Sequence, residues 1–293
     1  MTAKCACARW ERSRKARPMS ESAQNATLLS ELRAVRARQN MLWNLVLRDL
    51  KGRYKGSLLG FLWSILTPLF MALIYLFFLR VVAGRGVPME EIIIGVFAWQ
   101  FTVQSVNGGM GSVSSSASLI KKVYFPRSLL PLAVTLGALV NYLLCLAVQF
   151  PLVASLSQGL TFASPRLAFL PLVVLLHTGF NLALALILSS ANVYFRDTPH
   201  LVGLLLSAWF FVTPVMYNLE FLRRFSTSLP WLMKFYMLNP LAVIITAYRW
   251  CILRASTFPV SSWSAAGGLL IILLLVFGFV IFVRAQRHFA DYL

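Results

Sequence analysis

Acidic residues are the scarcest chemistry in this chain: nine Asp and Glu among 293 residues, against 27 Lys and Arg. Only three His and four Cys accompany them. A hydrolase or transferase needs an acid/base pair or metal ligands gathered together, and no such cluster stands out along the sequence. Asp49, Glu90, Glu91, Asp197, Glu220 and Asp291 all fall in segments that connect or flank apolar runs. Ion-coupled transporters keep carboxylates, His or Lys at membrane depth to bind the driving ion, so their scarcity here disfavours proton- or sodium-driven transport. His177 is the only His inside an apolar run, and with Asn181 at i+4 it reads as an interhelical hydrogen-bonding pair. Cys5, Cys7, Cys145 and Cys251 match neither disulfide-framework nor zinc spacing, so no metal is expected. There is no Gly-x-x-x-x-Gly-Lys-Ser/Thr, so the chain has no loop of its own to cradle ATP phosphates.

What the chain has is apolar length. It is 59% hydrophobic and 12% charged. Six stretches can each cross a bilayer: Leu58–Val82, Ile92–Gly111, Leu129–Leu156, Leu167–Ala191, Leu201–Tyr217 and Trp263–Val283. A hydrocarbon core ~30 Å thick takes about 20 helical residues, because every backbone polar group in it must be satisfied within the segment. The expectation is an all-α integral membrane protein with six transmembrane helices.

Charge placement predicts its orientation. With the N-terminus inside, the inner segments carry 19 of the 27 Lys and Arg, which the positive-inside rule expects of an N-in, C-in protein. These cations flank spans rather than forming one face, so lipid headgroups account for the +18 net charge better than nucleic acid does. Residues 1–39 read as a disordered cytoplasmic tail without a targeting peptide's apolar core, and Met19 is a plausible alternative start. Residues 40–57 read as an amphipathic helix on the cytoplasmic interface, with Arg48, Asp49, Lys51, Arg53 and Lys55 among apolar residues at helical spacing. Gly52, Gly56 and Gly60 then recur every four residues, which fits either a face for close helix approach or a loosened bend. The permease body covers residues 58–285, and residues 286–293 form an inner tail.

The spans carry neutral polarity instead of charge. Gln100, Gln104, Asn107, Gly111, Ser114 and Ser118 recur at spacings that keep one stripe along one helical face, and Asn141 and Gln149 add amides to the third span. Such a stripe suits a conduit for a hydroxyl-rich solute, and it equally suits helix packing. Residues 218–259 are too polar for a span yet rich in aromatics, with Pro230 and Pro240 dividing them. Short re-entrant helices or an interfacial aromatic belt both explain this composition.

Local strings then carry a resemblance. Arg48-Asp49-Leu50-Lys51 with Arg53-Tyr54, followed by Ser57-Leu58-Leu59-Gly60-Phe61-Leu62-Trp63 and Pro68, resembles the approach to the first span in polysaccharide-export permeases of the ABC transporter superfamily. These are the exporters of O-antigen, teichoic acid and capsule. Leu119-Ile120-Lys121-Lys122-Val123-Tyr124-Phe125-Pro126-Arg127 is similar to their first cytoplasmic loop. Asn192-Val193-Tyr194-Phe195-Arg196-Asp197, Pro214-Val215-Met216-Tyr217, Asn239-Pro240 and Tyr248-Arg249 follow in the family's order. Gly52 and Gly56 depart from the bulkier residues usual there.

The resemblance implies a homodimer paired with two copies of a separate ATPase subunit, which would hold ATP and Mg. It implies a lipid-linked glycan as cargo and a bacterial inner membrane as location. Lys121, Lys122, Tyr124, Phe125, Pro126 and Arg127 would form the loop that couples to the ATPase, with Tyr124 and Phe125 burying their rings in it. Arg48, Asp49, Arg53 and Tyr54 would belong to a second contact on the interface helix. Gln100, Gln104, Asn107, Ser114 and Asn141 are the candidate conduit lining, and Tyr217, Phe221, Trp231 and Tyr236 the candidate outer gate. A type-2 ABC exporter of drugs or other lipids stays open, as does a non-transporting component of glycan assembly.

Overall fold

The computed structural model describes residues 28–78, 88–123, 125–156, 165–218, 230–254, 256–259 and 261–292. Helices account for almost all of them: α1 (Leu28–Ala37), α2 (Gln39–Tyr54), α3 (Leu62–Phe77), α4 (Met89–Gly111), α5 (Ala117–Lys122) and α6 (Leu129–Leu156). Then come α7 (Leu170–Tyr194), α8 (Thr198–Val212), α9 (Pro230–Leu238), α10 (Pro240–Ile252), α11 (Ser262–Ala285) and α12 (Phe289–Tyr292). Among the described residues, three helical stretches are long and apolar enough to cross a membrane: Leu129–Leu156, Pro165–Tyr194 and Ser262–His288. Helices α3, α8 and α10 are apolar but shorter.

Helix α4 is the centre of the bundle. Ile92 to Trp99 form an uninterrupted apolar stretch and are all buried against neighbouring helices. Helices α6 and α7 close around it, α3 lies against it, and α11 packs on α7. Small residues set these distances: a Cβ on Gly109 would lie 2.4 Å from that of Ala185, so α4 and α7 meet at backbone contact. A second core gathers at the end where α4, α7 and α11 finish, joining Leu45, Val46, Val113, Phe125, Leu129, Val193, Phe282 and Phe289.

The third expected span coincides with α6 in both its bounds. Elsewhere the edges move. The helix of the first expected span, α3, begins at Leu62 rather than Leu58, because Gly56 and Gly60 adopt φ of 78° and 48° and hold residues 55–61 in turns and bends. No neighbour in this chain lies within 4 Å of a Cβ built on Gly52, Gly56 or Gly60, so the bend explains Gly56 and Gly60, whereas Gly52 lies within α2. In the fifth expected span, α8 runs from Thr198 only to Val212, since Thr213-Pro214 ends it.

The N-terminal expectation also needs correcting. Leu28–Ala37, inside the stretch read as disordered, is helical, and Glu31 is buried where it accepts a 2.9 Å hydrogen bond from Ser128 Oγ. Residues 1–27 lie outside the described residues. Between the last two long helices, α9 and α10 are short, apolar and separated at Asn239-Pro240. The Asn239 side chain caps α10 by accepting from Leu241 N at 3.1 Å, and Pro240 sits at its first position.

Candidate functional site

The C-terminal turn of α2 meets the polar stripe of α4, which the sequence alone did not place together. Asp49 and Arg53 are one turn apart and form a 2.9 Å ion pair. This pair lies across a notch between α4 and α6. A Cβ on Gly137 would sit 2.6 Å from Asp49 Oδ2, and one on Gly108 would sit 3.7 Å from Arg53 Nη2. Arg53 Nη1 reaches Gln104 Oε1 at 3.4 Å, and Asn141 Nδ2 donates to the same oxygen at 2.9 Å. Tyr54 donates its hydroxyl proton to Asn141 Oδ1 at 2.6 Å. A phenol has one proton, so Ser64 Oγ, 2.7 Å away, donates to Tyr54. One network therefore ties α2 to three neighbouring helices.

The stripe divides in two. Asn141 is buried with both amide atoms bonded, and Asn192 Nδ2 on α7 holds Ser114 Oγ at 3.3 Å, so at these positions polarity joins helices. Gln100 and Gln104 instead line a surface groove with Arg53, Tyr54, Trp63 and Thr67, and Asn107 is exposed. A smaller cavity shares Ser64, Gln100 and Gln104 with that groove and continues inward to Tyr142 and Cys145. The groove wall thus offers amides, hydroxyls and an indole face, with its cation already paired to Asp49. This chemistry fits a neutral, hydroxyl-rich solute better than an ion.

The loop after α4 is a pair of short turns, Ser114–Ser116 and α5, ending in extended Val123. Lys121, Lys122 and Val123 are exposed. Phe125 is not available to a partner. Its ring is 5% exposed and packs among Val113, Leu129, Val193 and Phe289 of the same chain, which corrects its expected role. Pro126 follows in the turn before α6, and Arg127 Nη1 donates to the Gln286 carbonyl, pinning the loop to the end of α11. Tyr124 lies outside the described residues. Arg48 lines a separate pocket with Asp49, Ser112 and Ser116, between α2 and this loop.

At the other end of the bundle, the expected gate residues separate. Tyr217 and Tyr236 come together, with ring centroids 6.0 Å apart, and Tyr236 is buried. Trp231 is 59% exposed, and Phe221 lies outside the described residues. Arg249, which the sequence offers only within the Tyr248-Arg249 string, is buried beneath this pair and holds backbone carbonyls from two other segments. Its signal was available: one cation inside the apolar run of α10.

His177 bonds across helices as expected, but not through Asn181. Its Nε2 lies 2.8 Å from Thr102 Oγ1 and its Nδ1 3.3 Å from the Tyr248 hydroxyl, within a cage completed by Phe101 and Tyr142. Helical i, i+4 geometry puts Asn181 a turn away, where both its amide atoms are buried without a hydrogen-bond partner.

Comparison with known proteins agrees with the resemblance in the sequence. Residues 40–253 match the family described as ABC-2 type transporter. The chain is 37% identical over 213 residues to the O-antigen export system permease protein RfbA of Myxococcus xanthus, covering 72% of this chain and 79% of that protein. It is 32% identical over 205 residues to an O-antigen export system permease protein RfbA of Klebsiella pneumoniae, covering 69% and 76%. A second Klebsiella pneumoniae protein of the same description matches at 32% over 207 residues.

Proposed function

The chain belongs to the ABC-2 type transporter family, and from that premise we propose that it is the transmembrane subunit of an ATP-driven polysaccharide exporter. Two copies would pair with two copies of a separate ATPase subunit and move a lipid-linked glycan outward across a bacterial inner membrane. Three relatives described as O-antigen export permeases, each matched over more than two thirds of this chain, carry this reading. The groove supports it independently, because uncharged amides and hydroxyls bind a glycan weakly enough to let it slide.

In this reading the membrane holds six spans with both termini in the cytoplasm, and residues 218–259 return from the outer side. ATP and Mg would bind the partner, since the sequence has no phosphate-binding loop. The exposed Lys121, Lys122 and Val123 would touch the ATPase, and α2 would carry its movement to Gln104 and Asn141 through Arg53 and Tyr54.

The test is deletion and complementation of the gene. Surface glycan measured with lectin or antibody should fall, and lipid-linked glycan should accumulate inside. Unchanged surface glycan with altered drug sensitivity would transfer the reading to a drug or lipid exporter. Neither change would remove transport from the account.

A further inference from the structure

Arg249 is 3% exposed, yet it carries a guanidinium into the interior. Nε and Nη2 both donate to the Glu91 carbonyl, at 3.1 and 2.9 Å. Nη1 donates to the Tyr217 carbonyl at 2.8 Å and Nη2 to the Val215 carbonyl at 3.1 Å. Glu91 lies in the first turn of α4, whereas Val215 and Tyr217 follow the break that ends α8 at Thr213-Pro214. One side chain of α10 therefore fastens the segment after α8 to the start of α4.

That segment sits directly on the α4 backbone. A Cβ on Gly95 would lie 2.4 Å from the Val215 oxygen and 3.0 Å from Arg249 Nη2. Tyr217 turns its hydroxyl back to the Phe211 and Val212 carbonyls at 3.0 and 3.3 Å, so it is a strut between α8 and Arg249. Its ring meets Tyr236, the other member of the outer aromatic pair. Satisfying free carbonyls alone needs only an amide or a water, without the desolvation cost of a buried charge. A forked cation that spans two segments at once supplies something more: a fixed register between elements that can separate.

We propose that Arg249 is the positioning residue that holds the outer gate closed, by locking the Val215–Tyr217 segment onto α4. This rests on the reading of the chain as a conduit. Release of the lock frees Tyr217 and Tyr236 to part, and the carbonyls return to Arg249 once the solute has passed.

The experiment uses the full chain in liposomes loaded with carboxyfluorescein, without ATP. Wild type retains the dye. Arg249→Gln is expected to release it at least about tenfold faster, the change that losing one hydrogen bond to a charged group produces in an open–closed equilibrium. Arg249→Lys should fall between them, because an ammonium keeps the charge but its donors radiate from one nitrogen and cannot span the guanidinium's three. Gly95→Ala should leak as well with Arg249 intact, because its methyl displaces the Val215 carbonyl. If the assembled Arg249→Gln and Gly95→Ala proteins hold the dye as wild type does, the gate role is wrong. If all three variants fail to assemble, Arg249 serves folding alone and the proposal is equally overturned. Failure of the exporter reading would show separately, as unchanged surface glycan in the gene deletion.

Discussion

The Tyr54 hydroxyl and the Asn141 side chain are joined at 2.6 Å across 87 residues of sequence, so α2 and α6 share a part-buried hydrogen bond. Asn141 is otherwise held only from its amide nitrogen, by Gln104. Tyr54→Phe keeps the ring and its edge contact with Phe61 but leaves Asn141 Oδ1 without its donor. A buried unpaired acceptor costs about 1–3 kcal/mol, while interhelical hydrogen bonds in membranes average about 0.6 kcal/mol, so roughly 1 kcal/mol is expected here. The variant should accumulate normally and melt a few degrees lower in detergent. Its glycan export should fall by more than its abundance. Export that tracks abundance would reduce the network to a packing device.

Glycine at 137 is a steric requirement of the α2 docking. Gly137→Ala places a methyl 2.6 Å from Asp49 Oδ2, inside van der Waals contact, so Asp49 and its ion pair with Arg53 must shift. Asp49→Ala in the same chain removes the obstacle. We expect Gly137→Ala to lower export and the double variant to recover part of it, measured as surface glycan per membrane-inserted protein. No recovery would mean that the notch is not where α2 engages the bundle.

How much of this was legible in advance depends on the distance over which each signal acts. The third expected span, α6, could be bounded from composition because its 28 residues hold no charge and only scattered amides, hydroxyls and prolines. The fifth expected span, α8, could not, since its length is decided by the local break at Thr213-Pro214 rather than by hydropathy. The polar stripe was visible by period, but which amides face a groove and which face Asn192 or Tyr54 depends on neighbours tens of residues away. Phe125 was misread for the same reason. An aromatic in a loop looks exposed until the end of α11 and Phe289 fold over it. Arg249 had a local signal, and its role became clear only when Glu91 and Tyr217 were placed beside it.

Orientation can be checked without any transport assay. The 19 of 27 cations on one set of segments predict both termini inside. Reporter fusions near Ser116 and Thr198 should report cytoplasm, and fusions at Gly84 and Gly159 should report periplasm. A cytoplasmic signal at Gly159 would mean that α6 and α7 do not both cross the membrane.

The inward ring of Phe125 separates stability from partner contact within one loop. Phe125→Ala removes a nearly fully buried ring from the core that joins α2, α6, α7 and α11, and such truncations cost about 3–5 kcal/mol. The permease itself should therefore become scarce in the membrane, and what remains should melt early. Exchanging Lys121 and Lys122 for Gln, with Val123→Ser, alters exposed positions whose stability effects stay within about 0.5 kcal/mol. That triple variant should keep its abundance and melting temperature yet co-purify with less ATPase. Both outcomes are read from one preparation: permease level, melting curve, and ATPase retained through detergent purification. If Phe125→Ala is abundant, melts normally and sheds the ATPase, the ring contacts the partner after all. If the triple variant retains a full complement of ATPase, the exposed side of the loop is not the docking face, and α2 is left as the expected contact.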